Sequence, residues 1–227
     1  TRKQPLEGRE AARMCQQMAA AIVHARRHGL DHLDWSTWNM MSTSFTSLFP
    51  LRLFGVGLAG TLHLARRDAV PDSAWLLRGA FYNTSPEICR FRMDPEITNP
   101  YKKLDQSLRG ASEVWSIGTI LFQALACRPP FGGIAEFEVM QRVMHSNLIL
   151  DSTFDGFGES GVALLESMLM KVPKDRKHIE AVVSDAWVKN HIRMALPGEL
   201  VMKVVQRLDS FSKLKPAIRT VGKGGME

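Results

Sequence analysis

Apolar residues recur at three- and four-residue spacing through Ala11, Met14, Met18, Ile22 and Ala25, which predicts a helix from Glu7 to His28. The basic run Arg26-Arg27-His28 followed by Gly29 supplies its stop. From Leu30 to Leu64 short apolar pieces alternate with Ser, Thr, Gly and Pro50, the pattern of loops and short strands. Residues 65 to 112 are rich in Pro, Asp, Asn and Arg and read as an irregular surface segment, long enough to imply a job of its own. The stretch that begins Ser112-Glu113-Val114-Trp115 and runs on to Leu125 is apolar almost all round, so a core helix is expected there with Ser112 as N-cap. Arg128-Pro129-Pro130-Phe131-Gly132-Gly133 ends it. Further helices fit Ala135 to His145, Gly161 to Met170 and Ile179 to Val183, and a last amphipathic one runs from about Glu199 to Arg219. The fold class expected is mainly α, with a few short strands near residues 30 to 64.

Composition narrows this only a little. The chain has 227 residues, 45% hydrophobic and 23% charged, which suits one sizeable folded unit with an appendage. No apolar leader follows Thr1, and the longest apolar stretch, Ile117 to Cys127, is too short to span a bilayer. Cys15, Cys89 and Cys127 are odd in number and far apart, as expected of reduced thiols in a cytoplasmic protein. The net charge of +6 comes from scattered residues without interleaved aromatics, so nucleic acid is not the expected partner. The histidines, among them His24, His63 and His145, have no carboxylate or cysteine at metal-ligand spacing.

The chemistry lies in short motifs. His32-Leu33-Asp34-Trp35-Ser36-Thr37-Trp38-Asn39 follows the first helix, and Leu51-Arg52-Leu53-Phe54-Gly55 comes next. Gly79 to Glu87 ends in Ser85-Pro86-Glu87, and Glu113-Val114-Trp115-Ser116-Ile117-Gly118 opens the apolar helix. Arg128-Pro129-Pro130-Phe131, Pro173-Lys174-Asp175-Arg176 and Ala186-Trp187 complete the series. In this order the motifs resemble H-R-D-x-x-x-x-N, D-F-G, A-P-E, D-x-W-S-x-G, G-x-P-P-F, D-P-x-x-R and H-P-W of the C-terminal lobe of serine/threonine protein kinases. The calcium-dependent group is the nearest in pattern. The resemblance covers roughly residues 7 to 193, and it implies a helical kinase lobe over 1–193 followed by a junction helix and tail over 194–227. No Gly-rich loop or strand lysine precedes residue 7, so the ATP-covering small lobe is not expected within this chain.

The resemblance implies roles residue by residue. Asp34 takes the place of the catalytic base, and Asn39 that of a magnesium ligand. His32 fixes the loop. Phe54, Gly55 and Trp115 are structural, and Glu87 and Arg176 match an ion pair that braces the activation segment. The departures are chemical. Leu53 stands where the family has its second magnesium-binding group, an aspartate, and a leucine offers no oxygen to a hard cation. Ser36 replaces the lysine that contacts the transferred phosphoryl group, and Leu33 replaces an arginine. No cofactor is therefore expected for this chain alone; ATP and magnesium follow by resemblance only if a small lobe exists.

Leu200, Val204, Leu208, Phe211, Leu214, Ile218 and Val221 step by threes and fours among Lys203, Arg207, Lys213, Lys215 and Arg219. A basic amphipathic helix is a calmodulin-target pattern. Leu208 to Arg219 also resembles the junction of calcium-dependent kinases, with Leu208, Phe211, Leu214 and Ile218 as partner-binding anchors. Pro216 inside it costs about 3 kcal/mol in a helix interior, so a break near Lys215 is expected. No calcium-binding EF-hand loop occurs. Three readings stay open: a pseudokinase-like regulatory or scaffold domain, a fragment of a divergent active kinase, and a calmodulin-binding helical adaptor.

Overall fold

The computed structural model describes residues 5–30, 35–42, 49–53, 81–94, 96 and 104–193. Helix α1 spans Gly8–Arg27 and ends as its sequence requires, with Gly29 at φ 69 donating its N–H to the Arg26 carbonyl. Strands β1 (Met40–Ser42) and β2 (Leu51–Leu53) form an antiparallel pair, in the region where short strands were expected. The remaining regular structure among the described residues is helical, made of short 3-10 turns and of α2 (Pro86–Met93), α3 (Gln106–Ala126), α4 (Glu136–His145), α5 (Glu159–Met168), α6 (Ile179–Val183) and α7 (Ala186–Arg193). The architecture is mainly α with one small two-stranded sheet.

Helix α3 runs through the middle of the core. Val114, Trp115, Ile117, Ile120, Leu121 and Phe122 are all buried, as expected for a helix that is apolar all round. It packs against α1 on one side and α5 on another, while α6 and α7 lie on α1. Gly118 is required at the α3–α5 crossing, because a Cβ there would lie 2.9 Å from Leu169 Cδ2. The chain enters α1 beside α3, where Leu6 donates its N–H to the Ala124 carbonyl at 2.9 Å. No helix among the described residues is long and apolar enough to cross a membrane.

Several boundaries differ from the sequence reading, each for a local reason. The segment expected to be irregular from 65 to 112 holds α2, opened by Pro86 at a position where a missing N–H is harmless. Helix α3 begins at Gln106, not near Ser112. Its N-cap is Asp105, whose carboxylate accepts the Leu108 N–H at 2.8 Å. Ser112 instead sits inside the helix and bonds across to Ser85, Oγ to Oγ at 2.9 Å. Helix α3 closes at Cys127 in the left-handed conformation, φ 53, before Pro129 is reached. Helix α5 lies two residues earlier than expected, because Gly158 at φ 74 starts it. Helix α7 was absent from the sequence reading; the Asp185 carboxylate starts it by accepting the Trp187 N–H at 2.8 Å. The helix expected from Glu199 to Arg219 lies outside the described residues.

Candidate functional site

The hairpin of β1 and β2 follows directly on Ser36 and Asn39. Residues Thr37–Asn39 make one 3-10 turn, in which Asn39 N–H donates to the Ser36 carbonyl at 3.1 Å. Ser36 is buried and Trp35 beside it lies in the main core. The register then pairs Met40 with Leu53, Met41 with Arg52 and Ser42 with Leu51. Asn39 therefore immediately precedes the residue that faces Leu53. The two positions matched to the family's metal ligands come together in space, but one carries a carboxamide and the other an isobutyl group. Leu53 is half-buried and packs, with Met40 and Leu51, against the main core. The hairpin is tied to α1, since Leu51 N–H donates to Gln17 Oε1 at 2.8 Å and the Arg13 guanidinium lies 4.4 Å over the Phe49 ring.

A magnesium ion does not fit this pair of side chains. It takes hard oxygen donors in octahedral geometry, and Leu53 has none to give. No group of three His, Cys, Asp or Glu side chains among the described residues could hold a metal ion. His32, Leu33, Asp34, Phe54 and Gly55 lie outside the described residues, as do Leu208, Phe211, Leu214 and Ile218.

The second half of the site is complete. Arg176 and Glu87, 89 residues apart in sequence, form a buried two-pronged pair, Nη1 to Oε1 at 2.9 Å and Nη2 to Oε2 at 3.1 Å. The remaining guanidinium hydrogens go to carbonyls: Nε to Met170 at 2.9 Å and Nη1 to Ala111 at 2.6 Å. Arg176 also lies 5.1 Å from the Trp115 ring centre. Both charges are nearly sealed from water, so the hydrogen bonds decide whether the pair is tolerable, and here the guanidinium is well supplied.

A polar seam next to this pair fixes residues 81 to 87 on α3. Asn83 Nδ2 donates to Thr119 Oγ1 at 2.8 Å, and that hydroxyl donates in turn to the Ser116 carbonyl at 2.8 Å. Ser116 Oγ donates to the Asn83 carbonyl at 2.8 Å, and Tyr82 Oη to the Gly133 carbonyl at 3.1 Å. Asn83, Ser85, Ser112, Ser116 and Thr119 are all buried. Sequence reasoning picked out Glu87, Arg176 and Trp115 but passed over Asn83, Ser116 and Thr119. For Ser116 and Thr119 the signal was present, as small hydroxyl residues inside a helix otherwise apolar all round, whereas Asn83 lies outside it in the 3-10 turn Phe81–Asn83.

The protein kinase domain family model matches residues 1–188. The chain belongs to the protein kinase domain family. Among curated relatives it is 26% identical over 204 residues to the calcium and calcium/calmodulin-dependent serine/threonine-protein kinase DMI-3 of Medicago truncatula, covering 89% of this chain and 35% of that protein. It is 26% identical over 220 residues to calcium-dependent protein kinase 2 of Arabidopsis thaliana, covering 94% and 30%. It is 25% identical over 184 residues to serine/threonine-protein kinase ssp1 of Schizosaccharomyces pombe, covering 81% and 26%. The chain thus spans about a third or less of the length of these relatives. The helical architecture fits the larger lobe of the kinase fold.

Proposed function

We propose that this protein kinase domain acts as a pseudokinase-like regulatory or scaffold domain that does not transfer phosphate. The observation that carries the reading is Leu53, facing Met40 beside Asn39 and packed on the core where the family uses a metal-holding carboxylate. Phosphoryl transfer depends on positioned metal ions to neutralise the charge that develops on the phosphoryl oxygens. Ser36, buried next to the same turn, removes the lysine that would touch the transferred group. The residues that would position a protein partner, from Phe81 to Glu87, are held by hydrogen bonds from Asn83 and Ser85 to α3 and from Glu87 to Arg176. In this reading 1–193 is the body and 194–227 the junction. Its place in this reading is the cytoplasm, as expected of three cysteines that are odd in number and far apart in sequence. Calorimetric titration of the chain with ATP and magnesium tests it: no binding is expected, and a micromolar, magnesium-dependent dissociation constant overturns it.

A second reading, a divergent active serine/threonine kinase, is favoured by the intact Glu87–Arg176 pair and by the retention of Asp34 and Asn39. The same titration separates the two, and incorporation of labelled phosphate into a Ser/Thr peptide would decide for the enzyme. A third reading rests on the tail, a calmodulin-binding segment with Leu208, Phe211, Leu214 and Ile218 as anchors. Titration with calmodulin in calcium and in chelator tests it. Calcium-dependent binding is expected, weakened by about 2 kcal/mol or more in Phe211→Ala, whereas Lys203→Ala should mainly alter its salt dependence. Equal affinity in both conditions, or none, removes the junction from the proposal.

A further inference from the structure

Seven large apolar side chains among the described residues are exposed, and five of them flank α4. Ile134 and Phe137 stand at its start, 99% and 61% exposed. Ile149 follows it, and Met170 and Val172 lie on either side of Lys171. The Lys171 ammonium, 3.7 Å from the Phe131 ring centre, donates to the Val143 carbonyl at the end of α4, with the Arg142 carbonyl 3.5 Å away. The start of α4 is also braced. Ile134 N–H donates to Glu138 Oε2 at 2.9 Å, Arg142 Nη1 to the Gly132 carbonyl at 2.8 Å and Tyr82 Oη to that of Gly133 at 3.1 Å. A fully exposed isoleucine is thus held out on a fixed backbone, close in sequence to an exposed phenylalanine. Exposed apolar groups gathered in this way mark an interaction surface.

Between these two apolar residues stands Glu136. Its carboxylate pairs with Arg92 at 3.0 Å, but the glutamate side chain is 53% exposed and the arginine 13%, so the pair shows its negative end to water. The matching occupant is an apolar stripe edged with cations. Residues 200–215 of the same chain have that chemistry. Leu200, Val204, Leu208 and Phe211 step by fours and threes, and the cations Lys203, Arg207, Lys213 and Lys215 outnumber the one carboxylate, Asp209. We propose that this tail segment docks across the start of α4, its apolar stripe on Ile134 and Phe137 and its cations beside Glu136. A second copy meeting the patch with its own would bring carboxylate toward carboxylate, which disfavours that pairing.

The tail begins within reach of this surface. Helix α7 ends at Arg193, and its His191 ring lies beside the first turn of α1, where a Cβ on Gly8 would be 3.5 Å from His191 Nε2. Leu6, just before that turn, donates its N–H to the Ala124 carbonyl in the last turn of α3. From Ala124 the chain leads through Cys127 to Ile134. The end of the body and the start of α4 are thus both tied to the C-terminal end of α3. Residues 194–199 can bridge up to about 20 Å before the stripe begins. The inference uses the tail's sequence pattern alone, so it stands apart from phosphate transfer and from calmodulin binding.

The test is zero-length carbodiimide coupling of carboxylates to lysine amines in the whole 227-residue chain, without calcium or calmodulin, mapped by peptide mass spectrometry. Links from Glu136 or Glu138 to Lys203, Lys213 or Lys215 should be the most abundant between tail and body. They should fall about fivefold or more in the double variant Ile134→Ser with Phe137→Ser, whose altered side chains already face solvent. Lys203→Glu with Arg207→Glu, changes confined to the tail, should lower the links from Lys213 and Lys215 to a similar extent, which decides the matter should the first variant fold poorly. Tail lysines that couple mainly to carboxylates elsewhere in the body, or to none, overturn the docking, as do yields unchanged in the variants. Mixing isotope-labelled with unlabelled chains gives the last outcome. Links within one chain support the proposal, whereas links joining labelled to unlabelled peptides assign the surface to the tail of a second copy and overturn it.

Discussion

The seam around Glu87 and the hairpin around Leu53 lie at the two ends of one segment, and they have fared differently. At the seam, each charged or polar side chain meets a partner of the right kind: Arg176 with Glu87 and carbonyls, Asn83 with Thr119, Ser85 with Ser112. At the hairpin, the two strands pair in register, and the side chains that meet the core there are apolar. Met40 pairs with Leu53 in good register, yet an apolar side chain fills the place of a metal ligand. The seam's groups hold the fold together, and losing any one leaves a buried polar atom stranded. A catalytic carboxylate carries no such penalty. Its replacement by Leu53 adds apolar burial, so the fold has nothing to lose by it. A lobe maintained for shape and not for catalysis would be altered in this way.

The largest expected effect breaks the comparison at the seam. Glu87→Ala or Arg176→Ala strands a buried charge and should destabilise by about 3–5 kcal/mol in chemical denaturation. The double change Glu87→Leu with Arg176→Met should recover most of that loss, since removing both charges also removes their desolvation cost. If either single variant unfolds at the parent's midpoint, the pair is not the brace described here. Next in size is Asn83→Ala, expected to cost about 1–3 kcal/mol by leaving the Thr119 hydroxyl without its donor. Thr119→Val should lie in the same range, and the two should be non-additive because they share one bond.

The hairpin should respond less. Leu53 is only half-buried, so Leu53→Ala should cost about 1 kcal/mol, well below the range for a fully buried leucine. A loss as large as that of Arg176→Ala would mean that the hairpin is as tightly built as the seam.

These contrasts also show what the sequence made legible. Glu87, Trp115 and Arg176 were readable because they sit in motifs with fixed neighbours, and the buried α3 was readable from its all-round apolarity. The cap at Asp105 was not, because the turns from Gln106 to Gly110 carry Gln, Ser, Arg and Gly and lack an apolar stripe. Propensity alone placed the start at the first apolar residues, whereas tertiary packing on α1 extends the helix by two turns. The short helix α7 was missed for a similar reason, since eight residues give the periodicity little room. Ser112 looked like a cap because small hydroxyl residues favour helix ends, and its true partner, Ser85, is 27 residues away. Long-range polar pairing of this kind has no local signature.

The smallest expected effect concerns pH, and Lys171 and the buried thiols pull in opposite directions. A lysine whose affinity for protons is lower in the folded state binds fewer protons there than in the unfolded chain between about 8 and 10.5. Stability therefore rises with pH across that window, as the penalty for holding a charge on Lys171 is relieved. Cys15 and Cys89 are pushed up to about 12, chiefly by burial, from 9.0. They favour the folded state below pH 9, and that contribution is lost as pH rises from 9 toward 12. Between pH 8 and 9 both act, since a thiol of ordinary affinity is already half ionised in the unfolded chain at pH 9. The Lys171 amine is partly exposed, so solvent screening reduces its gain to the order of tenths of a kcal/mol. Lys171→Met removes the titrating group while keeping a chain of similar length over the Phe131 ring. The thiols are common to both proteins, so the parent's denaturation midpoint relative to that of Lys171→Met should rise slightly from pH 8 to pH 9. An equal change in both would mean that the ring and the two carbonyls hold the ammonium as firmly as water does, and that Lys171 keeps its proton throughout this range.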